Sequence, residues 1–299
     1  MIRNQSDVAW KEILGEYFKD FVEYCLPQLY ELINWKKRWS SLDKELNAIT
    51  KGADAGNRLV DKLFKVYLKD GQEQWVLCHV EVQGKQDDDF PKRMFTYGYR
   101  IYDKYQKPVV SCAILTDEAK NWRPSSFRLG LAGSYLSIEY LVVKLIDYRD
   151  RIKELEASTN PFGSVVLTQL AALEVKRKPD EERKRVKFAL TRRLYDKGFK
   201  RAEVVNLYKF IDWLIGLSKP HELEYIHEIY ELEEAKQMPY ISNAEKFGME
   251  KGIVQGKLEV ARHMLEEGIR PAIVVKTTGF SSAKIKKLQA EIKRAANDH

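Results

Sequence analysis

Two acidic residues stand in sequence that reads as the interior of β-strands. Asp61 lies in RLVDKLFKVYL beside Leu59, Leu63 and Phe64, and Glu81 lies in WVLCHVEVQGK. Asp is depleted in strands. A carboxylate taken out of water is costly unless something positive is near, and two that face one another repel. A divalent cation between them relieves both terms, and hard oxygen ligands suit Mg²⁺ or Mn²⁺. The chemistry in view is metal binding.

Alternation along the second run puts Leu77, His79, Glu81 and Gln83 on one face and Val76, Cys78, Val80 and Val82 on the other. The second face is wholly apolar and is expected to pack on a helix, leaving the Glu81 face toward a polar cleft. Asp61 joins the Glu81 face only if paired residue numbers sum to an even value. A two-residue Asp70-Gly71 turn separates the acids, whereas a three- or five-residue loop or a bulge brings them together. The competing account leaves both acids on the solvent face of an edge hairpin, paired with Lys62, Lys65 or Lys85. His79, a lone histidine among apolar residues, reads as a hydrogen-bonded structural residue.

The elements that must position these residues follow from periodicity. Residues 6 to 33 are helical by the spacing of Trp10, Ile13, Leu14, Tyr17, Phe18 and Phe21, with Pro27 kinking or ending the first helix. Three strands are expected in LDKELNAIT, RLVDKLFKVYL and WVLCHVEVQGK, the last two forming a hairpin. A helix over residues 90 to 104 and a buried strand over 108 to 117 complete an α/β sandwich. Past residue 150 the periods are helical and proline-punctuated. The expected fold is therefore a mixed sheet flanked by helices over 1–150, a helical domain over 151–240 and a helical tail over 241–299.

Composition narrows the function class. The chain has 299 residues, is 44% hydrophobic and carries a formal charge of +7, which excludes disorder and is compatible with an anionic partner. Between Glu174 and Arg201 twelve Lys and Arg face five Asp and Glu, a surplus as large as that of the whole chain. Cys25, Cys78 and Cys112 lack metal-ligand spacing and argue for a reducing compartment. No leader or apolar span is evident, so a soluble, cytoplasmic protein is expected, with no membrane partner. In the second helix Arg93, Tyr97, Arg100 and Lys104 recur at i, i+4, i+7 and i+11. They form a stripe that suits DNA phosphates, or else a solvated helix face.

An Asp in one strand followed by Glu-x-Gln in the next resembles the PD-(D/E)XK nucleases. More closely, the chain resembles the Rpn family of recombination-promoting nucleases or transposases. The resemblance runs through LDKEL (42–46), VDKLFKV (60–66), HVEVQG (79–84), RMFTYGYRIYDKY (93–105), NPFGSVVL (160–167) and MPYISNAEKFG (238–248). It implies a restriction-endonuclease-like core and Mg²⁺-dependent cleavage of DNA. Asp61 and Glu81 would hold the metal, the Val82 carbonyl would be a third ligand, Gln83 would position the attacking water, and Glu45 would be an additional acid. Gln83 stands where most of the superfamily has Lys. That departure implies weak or conditional activity, and the rival function is a DNA-binding or assembly protein on a nuclease fold.

In the tail, Gly248, Gly252 and Gly256 recur at steps of four, but Glu250, Lys251 and Lys257 exclude a membrane span. PAIVVKTTGFSSAKIKKL reads as a helix, a turn at Gly279 and a second helix capped by Ser281 or Ser282. That order is like a helix-turn-helix. A plain helical hairpin, through which the chain would form a homo-oligomer, is the reading preferred on the sequence.

Overall fold

A computed structural model describes residues 2–50, 60–81, 87–241 and, in the tail, 261–262, 264–265, 269, 271–278, 280–281, 285 and 287–289. The chain divides into two compact units, Met1–Glu228 and Ile229–His299. The first unit opens with helices α1 (Ile2–Glu16), α2 (Phe18–Cys25) and α3 (Pro27–Leu32). Pro27 sits in the first turn of α3, where its missing N–H costs no hydrogen bond. There follow β1 (Ser40–Ser41), α4 (Asp43–Thr50), β2 (Val60–Tyr67), β3 (Glu73–Glu81), α5 (Phe90–Tyr105) and β4 (Val109–Leu115). Next come β5 (Ser126–Leu131), β6 (Ser134–Glu139), β7 (Leu141–Lys144) and a 3₁₀ turn over Leu145–Arg151. The helices α6 (Ile152–Ala157), α7 (Pro161–Val175), α8 (Asp180–Asp196), α9 (Arg201–Leu214) and α10 (Lys219–Lys236) complete the run.

Among the described residues the main sheet has the order β1-β2-β3-β4-β7, and β5 and β6 form a separate hairpin. The β1, β2 and β3 neighbours are antiparallel, whereas β3, β4 and β7 are parallel. The fold is thus mixed α/β with a largely helical remainder.

Two expectations need correction. LDKELNAIT is not a strand: Leu42 and Leu46, four apart, both pack into the core beneath α5, which is helical spacing, and Asp43 and Glu45 favour a helix N-terminus. Glu45 therefore stands on α4, not on a strand. Strands β5, β6 and β7 occupy the stretch after residue 117 and end before residue 150, past which the helical periods begin. Finally, the face of β3 that carries positions 79 and 81 is no open polar cleft along its length. Its Trp75 and Leu77 are buried with Leu63, Leu46, Tyr97 and Ile101, while on the other face Phe64 and Val76 are buried too. Helices cover both sides.

The second face is closed by the N-terminal helices. Phe18 stacks on Phe64 with ring centroids 3.9 Å apart. Trp10, fully buried, lies edge-on to Phe210 at 5.3 Å and 6.4 Å from Phe162, and its indole N–H donates to Gln169 Oε1 at 3.1 Å. Phe21 adds a ring contact to Phe162 at 5.1 Å. These helices therefore join the sheet to α7 and α9 through one aromatic seam.

Six of the twelve cations in the basic run are ion-paired among the described residues. Lys187, with no exposed side-chain surface, donates to Asp212 Oδ1 at 2.7 Å and to Glu222 at 3.0 Å, and lies 4.5 Å from the Tyr225 ring centre. Lys184 pairs with Glu224 at 2.8 Å and Glu228 at 3.1 Å. Arg183 pairs with Asp180 at 3.0 Å, Lys178 with Glu182 at 3.4 Å, and Arg193 with Glu156. Lys197 donates to the Leu155 and Ser158 carbonyls, and burial holds its pKa down.

Truncating the seam at its centre is expected to be severe. Trp10→Ala removes a fully buried ring and orphans the Gln169 amide, so urea denaturation should show a loss of roughly 3–5 kcal/mol. A loss near zero would mean that the seam does not couple the layers. Lys187→Met leaves Asp212 and Glu222 without their cation and should cost roughly 3–5 kcal/mol at neutral pH. Burial, followed by the neighbouring Asp212 charge, already holds the Glu222 carboxyl above the usual range, against the pull of Lys187. A carboxyl with a raised folded pKa binds its proton more tightly in the native state, so stability falls as pH rises through that pKa. The Lys187→Met penalty should therefore shrink on acidification, which melts recorded from pH 7 downward would reveal.

Candidate functional site

The β2–β3 hairpin is held by a loop with an odd number of residues. The last strand pair is Tyr67 with Glu73, after which the Leu68 N–H donates to the Gln72 carbonyl at 2.8 Å. Within the remaining Lys69-Asp70-Gly71, Gly71 adopts φ 93°, a conformation glycine supplies without Cβ strain, and Asp70 Oδ1 accepts the Gln72 N–H at 2.9 Å. Asp61 consequently pairs with His79. The paired numbers sum to an even value, so the backbone places positions 61, 79 and 81 on one face of the sheet. In the parallel part Glu81 pairs with Leu115, and Leu115 with Lys144.

Two apolar clusters border these positions. One buries Leu63, Trp75 and Leu77 against Tyr97 and Ile101, and the other buries Ala113 and Leu115 against Phe90, Met94 and Tyr140. The side chains of Asp61 and Glu81 lie outside what the structure describes, and so does Gln83 with the whole of 82–86. Glu45 is half-buried on α4, and its carbonyl accepts the Tyr105 hydroxyl at 3.5 Å.

The lysine nearest to Asp61 in sequence has another partner. Lys62 falls on the opposite face, is nearly buried and pairs with Asp43 Oδ2 at 2.7 Å. The Lys65 ammonium lies 6.0 Å from the Tyr67 ring centre. Neither contact involves Asp61.

On α5, Tyr97 is buried in the core, which turns its stripe toward the sheet. Arg93 donates to Asp87 Oδ2 at 2.7 Å and lies over Phe90. Arg100 is half-buried, and Lys104 is exposed, with its ammonium 5.4 Å from the Tyr105 ring centre. The stripe is thus graded, from a paired arginine near the N-terminus of α5 to a solvent-facing lysine at its other end.

Sequence reasoning missed a buried ion pair at the C-terminal ends of β4 and β7. Asp117 Oδ2 accepts Lys144 Nζ at 2.6 Å, and both side chains are almost wholly out of water. Asp117 Oδ1 accepts the Ala119 N–H at 2.8 Å, and Lys144 also donates to the Trp122 carbonyl at 3.3 Å. The signal was present: each apolar run, VVSCAILTD and LVVK, ends on a charge. Elsewhere, Glu181, His221 and Glu224 bring ligand atoms within 4.8 Å of one another. Lys184 pairs with both of those carboxylates, so the group is an ion-pair network. A cavity of about 780 Å³ between α6, α7 and α8 has an apolar floor that includes Leu167, Leu170 and Leu190; Lys176, Arg177 and Arg193 of the basic run line it, but none of the sequence-predicted catalytic, metal-binding or DNA-binding residues does.

The C-terminal unit has its own small core. Ala261, Val274, Ile285 and Leu288 are buried together, with Met264, Leu265, Ile269 and Phe280 against them. Helical residues at 261–262 and 264–265 therefore precede α11 (Pro271–Thr278), and a further helical segment includes 285 and 287–289. Ser281 accepts the Ile285 N–H through its carbonyl at 3.1 Å, as expected where a helix starts, whereas Gly279 lies outside the described residues. Three helical segments about one core correct the preference for a two-helix hairpin.

Among the described residues no helix is long and apolar enough to cross a membrane. No curated protein and no solved structure gives a significant match to the chain. Residues 254–290 match the family model described as the C-terminal HTH domain of the Rpn/YhgA-like nuclease family, and this match supports membership of the Rpn family.

Proposed function

We propose that this chain is a metal-dependent DNA endonuclease of the recombination-promoting or transposase-like kind, hydrolysing phosphodiester bonds at a site built on the β2–β3 hairpin. The observation that carries the reading is the even register of that hairpin, which puts the Asp61 and Glu81 positions on one face of two adjacent strands. The matched HTH domain supports DNA as the partner, since this motif presents a helix to the major groove.

A carboxylate pair is a hard-oxygen donor set that fits Mg²⁺ or Mn²⁺. Asp61 and Glu81 would hold the ion, with the Val82 carbonyl as a further donor. Once bound, the ion would supply Lewis acidity and a lowered pKa for water. Gln83 would orient the attacking water through its amide but brings no positive head group to the developing phosphate charge. Glu45, on α4, would be an additional acid near the site. Arg93, Arg100 and Lys104 would meet backbone phosphates, and of these Lys104 is the one already facing solvent.

The second reading, a DNA-binding or assembly protein with weak or absent catalysis, is favoured by Gln83 together with the matched HTH domain. Nicking of supercoiled plasmid in Mg²⁺ or Mn²⁺ separates the two. Cleavage should appear with the metal and vanish in Asp61→Ala and in Glu81→Ala. DNA binding without cleavage in either metal would leave only the binder. If Gln83 limits a working site, Gln83→Lys should raise cleavage about tenfold, equivalent to roughly 1.4 kcal/mol of transition-state stabilisation. Loss of wild-type cleavage in that variant would show instead that the amide is adapted to its place.

Phosphate contacts carry no base information. Arg100→Ala combined with Lys104→Ala should therefore weaken binding equally for unrelated sequences and flatten its dependence on salt. Affinities measured from 50 to 200 mM salt would test this, and unchanged values would return the stripe to a solvated helix face.

A further inference from the structure

The β5–β6 hairpin stands apart from the main sheet, and its two faces differ. Pairing of Phe127 with Ile138, Leu129 with Leu136 and Leu131 with Ser134 puts these six residues on one side. Ser126, Arg128, Gly130, Tyr135, Ser137 and Glu139 lie on the other. The root of the first face rests on α5. The Phe127 ring is 5.2 Å from that of Phe95, and a Cβ at Gly98 would come within 3.2 Å of Ile138 Cδ1. Farther out, the same face leaves Leu129 59% exposed, Leu136 60% and Leu131 85%. Tyr99, stacked on Phe95, extends the apolar surface along α5 and is itself 55% exposed.

The hairpin is built to hold this face in place. Ala132 and Gly133, with φ of 52° and 87°, make a tight two-residue turn whose twist matches the strands. Gly130 is required by close approach, because a Cβ there would sit 2.4 Å from the Ser134 carbonyl oxygen and from Tyr135 Cβ. On that side the Arg128 guanidinium lies 3.7 Å from the centre of the Tyr135 ring. A face ordered in advance loses little entropy when it is covered.

We propose that the exposed apolar face of the β5–β6 hairpin is the surface through which two copies of this chain pair. The face bears no charge, so a phosphate backbone gains nothing there, and Arg128, the cation of the hairpin, is on the opposite side. A second identical face is complementary by composition, and pairing about a two-fold axis closes without leaving a sticky end. Leu129, Leu131, Leu136 and Tyr99 offer on the order of 500 Å² per copy, and so about 1,000 Å² for a pair, the lower bound for a specific interface.

Sedimentation equilibrium of the full chain, with circular dichroism as the check on folding, tests the assignment. The wild type should dimerise, and Leu129→Asp with Leu136→Asp should raise the dimer dissociation constant at least about 100-fold, since both charges would be buried at the centre of the contact. Ser137→Asp, on the other face, should leave it unchanged. A wild type that stays monomeric at about 100 μM overturns the proposal. A dimer indifferent to the leucine substitutions does so as well, and would return pairing to the C-terminal helices. Flotation with lipid vesicles that depends on the same leucines, in a chain that is monomeric, would assign the face to a membrane surface instead.

Discussion

The candidate site depends on the aromatic seam that α1 and α2 lay between the sheet and the helices. Phe18 is stacked on Phe64 of β2, and Trp10 and Phe21 reach Phe162 and Phe210 on the far side. A two-layer sheet must bury its second face against something, and here that cover comes from the first helices of the chain. Because Phe64 is pinned, the phase of the pleat in β2 is pinned with it, and a one-residue slip would bring the buried Phe64 to the wrong face. The backbone position of Asp61 relative to Glu81 is thus set by the odd-residue loop and held by packing three residues away.

Charge follows a similar logic. The lysines and arginines between 174 and 201 look on paper like a phosphate-binding surface, but α8 carries Lys184, Lys187 and Arg193 into contact with acids of α6, α9 and α10. Lys187 is the extreme case, desolvated completely and neutralised by two carboxylates and a ring face. Isolated ion pairs on a surface contribute little, whereas a cation buried in this way ties three helices to one geometry. The net surplus of the chain then resides in residues that the ion pairs leave over, so total charge does not locate a binding face.

What the sequence made legible was what local chemistry decides. Asp70-Gly71 required a turn, and the even register followed once the loop proved to hold an odd number of residues. The α5 helix is bounded within a residue of its expected ends, because Phe90, Met94 and Ile101 repeat at helical spacing. Where long-range partners decide, the reading failed. LDKELNAIT has β-compatible residues at its end, and the packing of Leu42 and Leu46 under α5, with Asp43 and Glu45 in its first turn, made it a helix. The sequence of β5 and β6 does alternate, with Phe127, Leu129 and Leu131 and then Leu136 and Ile138 at every second position about the Ala132-Gly133 turn, so this hairpin carried a strand signal that the sequence reading passed over. The Asp117–Lys144 pair brings together residues 27 positions apart in sequence, and two charges that end separate apolar runs look like ordinary strand termini until the strands are set side by side.

These cases share one physical cause, and it bears on how the two ends of the chain can act together. A charged residue at the margin of an apolar run has three outcomes: exposure, burial with a partner, or burial with a bound ion. Lys62 and Lys144 take the second, each with one aspartate at 2.7 and 2.6 Å. Asp61 and Glu81 stand in comparable runs, and the lysine beside Asp61 in sequence is turned to the opposite face and occupied by Asp43. Under the proposed function the Asp61 and Glu81 positions would take the third outcome, with an ion between them. Any specificity for where such a site acts would have to come from elsewhere, because two carboxylates and an ion recognise phosphate but not sequence. The matched helix-turn-helix is the part of the chain whose form is suited to that task.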